Sequence, residues 1–219
     1  MHCTRDGELV IFHDPRLERT TNGHGLIRDR TLSELEKLDA AYHFSPDGKT
    51  HPLRGKGITI PTLASLVDLD PNAKLNLEMK QLDVDLPRAL HAFIESRNLN
   101  DRVLVAAAEW PLMRDFRRLA RGRIPTGASR REVLAFWLAA RARCTAVLPI
   151  GYQALQVPPR AGRLTVIDEN FVRAAHARSL HVHAWTIDDA AEMRELVALG
   201  VDGLMSDRPD LLLAILRPA

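Results

Sequence analysis

Residues 74–80 read KLNLEMK. Apolar Leu75, Leu77 and Met79 alternate with Asn76, Glu78 and Lys80, the period-two pattern of a strand with one apolar and one polar face. Glu78 and Lys80 lie two apart, so they project to the same side. Charge among apolar neighbours is costly unless it is paired. Either the two form an ion pair, or Lys80 reaches outward, or the pair serves chemistry. In the chemical reading the carboxylate suits a hard divalent cation such as Mg²⁺ or Ca²⁺ and the lysine binds phosphate. A cation beside an ammonium would neutralise a phosphodiester and its transition state.

Outward from this strand, strand-like and helix-like runs alternate along the whole chain. Residues 8–13 (ELVIFH) predict a strand after the tight-turn signal Asp6-Gly7, with its partner just before Thr4. Residues 31–38 predict a helix with Thr31 as N-cap and Glu34 completing a capping box. Further helices are expected at 63–67, 86–96, 111–120, 131–142, 170–178, 189–199 and 210–216, and strands at 102–107, 124–128 (weak), 146–150, 181–187 and 203–206. This alternation argues for a parallel α/β fold. No GxGxxG follows a first strand, so an open dinucleotide-binding sheet has no support. Polar residues close several strands: His13-Asp14, Glu78 to Lys80, Trp185-Thr186 and Ser206-Asp207. In a (β/α)₈ barrel these ends converge on one mouth, and the barrel is the expected architecture.

Composition agrees with one globular domain over residues 1–219. Thirty Lys and Arg stand against 28 Asp and Glu, a net charge of +2, so there is no general attraction to nucleic acid. No apolar run approaches the ~20 residues of a membrane span. Cys3 and Cys144 form no CxxC pair and no disulfide framework, and residues 1–14 lack a signal-peptide pattern, which together predict a cytoplasmic, reducing setting.

Other candidates follow from position. His13, at a strand end, can exchange a proton near neutral pH, or it is a strand-end histidine without chemistry. Trp185 can wall a glycerol backbone at a barrel mouth, or fill the core. His181 and His183 alternate on one strand but have no third histidine nearby to complete a metal site. Tyr152, Gln153 and Gln156 follow an expected strand and could line the mouth.

Taken in order, these segments resemble the glycerophosphodiester phosphodiesterase family. The resemblance runs through Thr4-Arg5-Asp6-Gly7, then Leu9 to Asp14 (LVIFHD), and Arg19-Thr20-Thr21-Asn22-Gly23. It continues through Ile60-Pro61-Thr62-Leu63, LNLEMK, Ala184-Trp185-Thr186-Ile187 and Gly200 to Pro209 (GVDGLMSDRP). It implies a TIM barrel that uses a divalent cation, Mg²⁺ or Ca²⁺, to cleave glycerophosphodiesters into an alcohol and sn-glycerol 3-phosphate. By the same resemblance His13 is one of two catalytic histidines, Glu78 one of three carboxylate metal ligands, Lys80 a phosphate contact and Trp185 the aromatic of the substrate pocket. The implied partner is a small glycerophosphodiester, with no nucleic acid and no membrane span.

The sequence departs from the family at its start. The family opens with a strand ending in His-Arg-Gly and a second ending in Glu-x-Asp, and neither occurs in this chain. By the family's spacing that Asp would fall just before Met1. The expectation is a barrel that lacks the first strand and most of the second, from a miscalled start or a fragment, with impaired hydrolysis. Two other readings stand beside it: a degenerate barrel that binds phosphate without catalysis, and a related phosphodiesterase acting on lysophospholipids.

Overall fold

The computed structural model describes residues 1–216. Two compact units divide the chain, Met1–Ile124 and a second from Pro125 onward.

The first unit opens with β1 (His2–Cys3) and β2 (Leu9–Val10), which pair antiparallel as the Asp6-Gly7 signal predicts. Gly7 has φ +90°, a conformation that a side chain would strain. The ladder on β2 is shorter than residues 8–13. Beyond Val10 the chain turns to Pro61, whose carbonyl accepts from Ile11 N–H (2.9 Å), so His13 leaves the strand on a loop. The short helix α1 (Leu32–Leu35) carries the capping box read from Thr31 and Glu34. Then come α2 (Leu63–Leu69), β3 (Leu75–Glu78), α3 (Leu86–Ser96), β4 (Val103–Ala106) and α4 (Trp110–Ala120).

β3 and β4 are parallel, with Leu77 opposite Val105 and Glu78 opposite Ala106. The alternation of residues 74–80 sorts as expected. Leu77 and Met79 are buried among Leu86, Leu90, Ile94, Met113 and Phe116 of α3 and α4. Asn76 and Glu78 stay exposed on the opposite face and Lys80 is partly covered. A smaller cluster of Val10, Leu17, Ile27, Leu35 and Ile60 lies under the loop that carries His13.

The second unit contains α5 (Arg130–Arg141), β5 (Ala154–Val157), β6 (Arg160–Ala161), β7 (Leu164–Thr165), α6 (Glu169–His176), β8 (His181–Ala184), α7 (Ala190–Ala198), β9 (Gly203–Leu204) and α8 (Pro209–Leu216). β5, β8 and β9 form a parallel sheet in that order. Phe136 of α5 meets Phe171 of α6 edge to face, with centroids 5.6 Å apart, in a core that also holds Leu155, Val182 and Met193.

Two expected strands differ from the structure, and one hairpin was not expected. Residues 146–150 are not a strand: Thr145–Val147 is a 3-10 turn, and the strand of this region is β5. Pro149 removes a donor from the apolar run, and the Arg178 guanidinium takes the carbonyls of Thr145 and Leu148 that a ladder would need. Residues 124–128 contribute only a parallel bridge from Gly127 to Ala154. The β6–β7 hairpin, turning at Gly162 (φ +59°), has too few residues to leave a period in the sequence. The α/β class stands.

Candidate active site

His13 lies where the loop after β2 reaches the C-terminal end of β3. Its Nδ1 is 2.6 Å from Asp14 Oδ1, and its Nε2 is 3.1 Å from Lys80 Nζ. An ammonium can only donate, so Nε2 accepts from Lys80 and Nδ1 carries the proton given to Asp14. Arg19 donates through Nε to the other Asp14 oxygen. These hydrogen bonds, from Arg19 first and His13 second, hold the Asp14 carboxyl down to about 2. Lys80 also pairs with Glu78, Nζ to Oε2 at 3.0 Å. The result is a continuous chain Arg19, Asp14, His13, Lys80, Glu78.

The backbone beneath this chain is well anchored. His13 O contacts His2 Nε2 at 3.3 Å, and Lys80 N–H donates to Met1 O. His2 is only 1% exposed, and burial pushes its imidazole down to about 4. It is therefore neutral near pH 7 and committed to a backbone carbonyl.

Two cavities meet at Lys80. One, of about 630 Å³, is bordered by His13, Arg19, Glu78 and the apolar Ile11, Phe12 and Leu77. The other, of about 200 Å³, is bordered by His2, Arg28, Gln81 and Asp83, with Arg28 and Asp83 joined as an ion pair. The larger lies in the size range of small-ligand sites.

Of the four residues singled out in the sequence, His13, Glu78 and Lys80 come together in the first unit. Trp185 belongs to the second. It follows β8, is 43% exposed, and its backbone N–H donates to Val157 O at 3.3 Å. Gln156 Nε2 lies 3.2 Å from His183 Nδ1 in the same unit. Among the described residues no group of three or more His, Cys, Asp and Glu could hold a metal ion, His181 and His183 included. Sequence reasoning quoted Asp14 and Arg19 without giving them a role. An acid adjacent to a strand-end histidine, with an arginine five residues on, is the signal that could have found them.

The donor set also bears on Mg²⁺ or Ca²⁺. These ions take six or more oxygens, usually several from carboxylates. Here Glu78 carries the Lys80 ammonium on one oxygen, and both Asp14 oxygens are held by His13 and Arg19. The residues described do not fit a divalent cation.

A model of the glycerophosphoryl diester phosphodiesterase family matches residues 1–211. The chain is 31% identical to probable glycerophosphodiester phosphodiesterase 2 of Mycobacterium tuberculosis, over 99% of this chain and 77% of that protein. It is 28% identical to the glycerophosphodiester phosphodiesterase of Caldanaerobacter subterraneus, over 99% and 84%. Its fold matches a glycerophosphoryl diester phosphodiesterase domain from Mycobacterium tuberculosis with a TM-score of 0.84 at 18% identity, covering 98% of this chain and 85% of that one. It also matches an Oleispira antarctica phosphodiesterase, solved with its product sn-glycerol-3-phosphate, with a TM-score of 0.71 at 25% identity over 98% and 81%. These likenesses bear out the TIM-barrel class expected from the strand ends. Among the described residues no helix is long and apolar enough to cross a membrane. By the match to its model and by these relatives, the chain belongs to the glycerophosphoryl diester phosphodiesterase family of hydrolytic enzymes.

Proposed function

We propose that this chain binds glycerophosphodiesters through Lys80 and cleaves them slowly, to an alcohol and sn-glycerol 3-phosphate. The observation that carries the reading is the placement of Lys80 Nζ within 3.1 Å of His13 Nε2 and 3.0 Å of Glu78 Oε2. A phosphate anion entering the larger cavity competes with both partners for the ammonium. Its arrival releases His13 Nε2 as a base beside the bound diester.

The chemistry follows from this proton inventory. A glycerol hydroxyl adjacent to the phosphodiester is already tethered to the reacting phosphorus, so its attack is effectively unimolecular. His13 Nε2 takes the hydroxyl proton while the new O–P bond forms. The imidazolium is held by Asp14, which Arg19 keeps ionised. The P–O bond to the alcohol breaks, and water then opens the cyclic phosphate to the monoester.

The leaving alcohol needs a proton on the side opposite His13. His2, whose ring meets the His13 carbonyl, is neutral near pH 7 and so does not supply one. Protonation by water is slow, and this is the physical reason for impaired turnover. No step runs through a metal ion; Glu78 is the single carboxylate of the cluster that Mg²⁺ or Ca²⁺ could use, and its present role is to position Lys80. Cys3 and Cys144 are both free thiols, in keeping with a cytoplasmic setting.

That His2 does not serve as the acid also favours a second reading, a barrel that binds the diester without cleaving it. Isothermal titration with glycerophosphocholine, combined with an assay for sn-glycerol 3-phosphate, separates the two. Binding lost in Lys80→Ala, with product formed slowly by the wild type, supports the enzyme. Binding without product supports the non-catalytic barrel. No binding by the wild type overturns both. Lysophospholipid substrates, assayed for the released head-group alcohol, test the related phosphodiesterase reading.

A further inference from the structure

Residues 130–165 contain six arginines and one acidic residue, Glu132, a net charge of +5 in a chain whose total is +2. Glu132 is engaged at the start of α5, accepting from Ser129 N–H (2.8 Å) and Oγ–H (2.6 Å). On α5, Leu134 and Leu138 are one turn apart and 56% and 53% exposed. The β6–β7 hairpin is bonded to the same helix. Thr165 O accepts from Trp137 Nε1 (3.3 Å) and from Arg141 Nη2 (2.9 Å), and the neighbouring Leu164 is 58% exposed. Arg130, one turn before Leu134 on α5, Arg143, just past the end of α5, and Arg163, next to Leu164, are all exposed.

Scattered exposed leucines need no explanation, but leucines framed by arginines on a helix and its adjoining hairpin make a mixed surface of a particular kind. A second copy of this chain docked face to face would bring arginine against arginine, since the neighbouring acids Asp168 and Glu169 already pair with Arg141 and Arg173 of their own chain. A nucleic acid would use the arginines and leave the leucines in water. A lipid surface with anionic head groups satisfies both sets at once, because arginine stems can lie along the apolar layer with their guanidinium groups at the phosphates.

We propose that the exposed face of α5 and the β6–β7 hairpin dock on an anionic lipid surface, with Leu134, Leu138 and Leu164 entering the interface and the surrounding arginines meeting lipid phosphates. The surface shares no residue with the His13–Lys80 cluster, so the proposal stands whether or not the chain turns over a diester.

Vesicle flotation tests it with the purified chain. Vesicles of phosphatidylcholine with a quarter phosphatidylglycerol should carry the protein, pure phosphatidylcholine vesicles should carry much less, and rising salt should weaken the association. Leu134→Ser with Leu138→Ser, and separately Leu164→Ser, should each weaken binding by about tenfold or more while leaving circular dichroism unchanged. Failure of the wild type to float with anionic vesicles overturns the proposal. So does flotation that is indifferent to all three leucine substitutions, which would mean simple adsorption of charge. A dimer in analytical centrifugation that Leu134→Ser abolishes, or displacement of the vesicles by RNA with the leucine variants still binding RNA, overturns it as well.

Discussion

Lys80 Nζ lies 3.1 Å from His13 Nε2, although the two residues are 67 positions apart in the chain. Each also has a partner of its own, Glu78 for the lysine and Asp14 for the histidine. A base and a phosphate-binding cation are thus held against each other until an anion separates them.

This contact makes the two residues separable by kinetics. Lys80→Ala should abolish saturable diester binding, seen as a large rise in KM or loss of heat in titration. His13→Ala should leave binding within a fewfold and lower kcat by roughly 100-fold or more, the size usually lost with a general base. Equal effects of both changes on binding alone would remove His13 from the chemistry.

Asp14→Asn should loosen the histidine without removing it. The neutral amide is a weaker acceptor for Nδ1–H and loses its ionic contact with Arg19. Imidazole nitrogen shifts of His13 in NMR should change from one dominant tautomer, protonated at Nδ1, to a mixture of both. An unchanged spectrum would mean that Lys80 alone sets the ring.

The buried His2 predicts a pH dependence of stability. Its imidazole titrates at about 4 in the folded chain and near 6.5 when unfolded. The unfolded state therefore binds more protons between these values. The contribution is fully present above about pH 6.5 and is lost as pH falls to about 4, amounting to roughly 3 kcal/mol at most. Urea midpoints measured across this window should fall with acidity for the wild type, and the fall should be shallower for His2→Gln.

The aromatic core of the second unit should be sensitive to truncation. Phe171 is fully buried against Phe136. Phe171→Ala removes a large side chain from a packed site and should cost about 3–5 kcal/mol, read as a lower denaturation midpoint. Leu69→Ala, at a residue 82% exposed, should change stability by less than about 0.5 kcal/mol.

Much of the fold was legible because its signals are local. The period of residues 74–80 assigned Leu77 and Met79 to the core and Glu78 and Lys80 to the other face, and the backbone alternation of a strand enforces that sorting. Thr31 with Glu34 announced a helix start through hydrogen bonds that span three residues. Residues 146–150 misled because apolar content alone does not distinguish a strand from a turn. What decided against a strand was Arg178, far along the chain, capturing the carbonyls of Thr145 and Leu148.

The candidate site divides in the same way. The sequence by itself determined which residue types follow the strands, that Glu78 and Lys80 share a face, and which family the ordered motifs resemble. Only the tertiary structure decided that His13 completes that pair, that Asp14 and Arg19 orient its ring, and that His2 is neutral and committed beneath it. The reason is physical. Side-chain direction is set by neighbouring backbone and can be read from spacing, whereas proton positions and charge partners depend on groups brought together from distant positions when the strands and their loops pack.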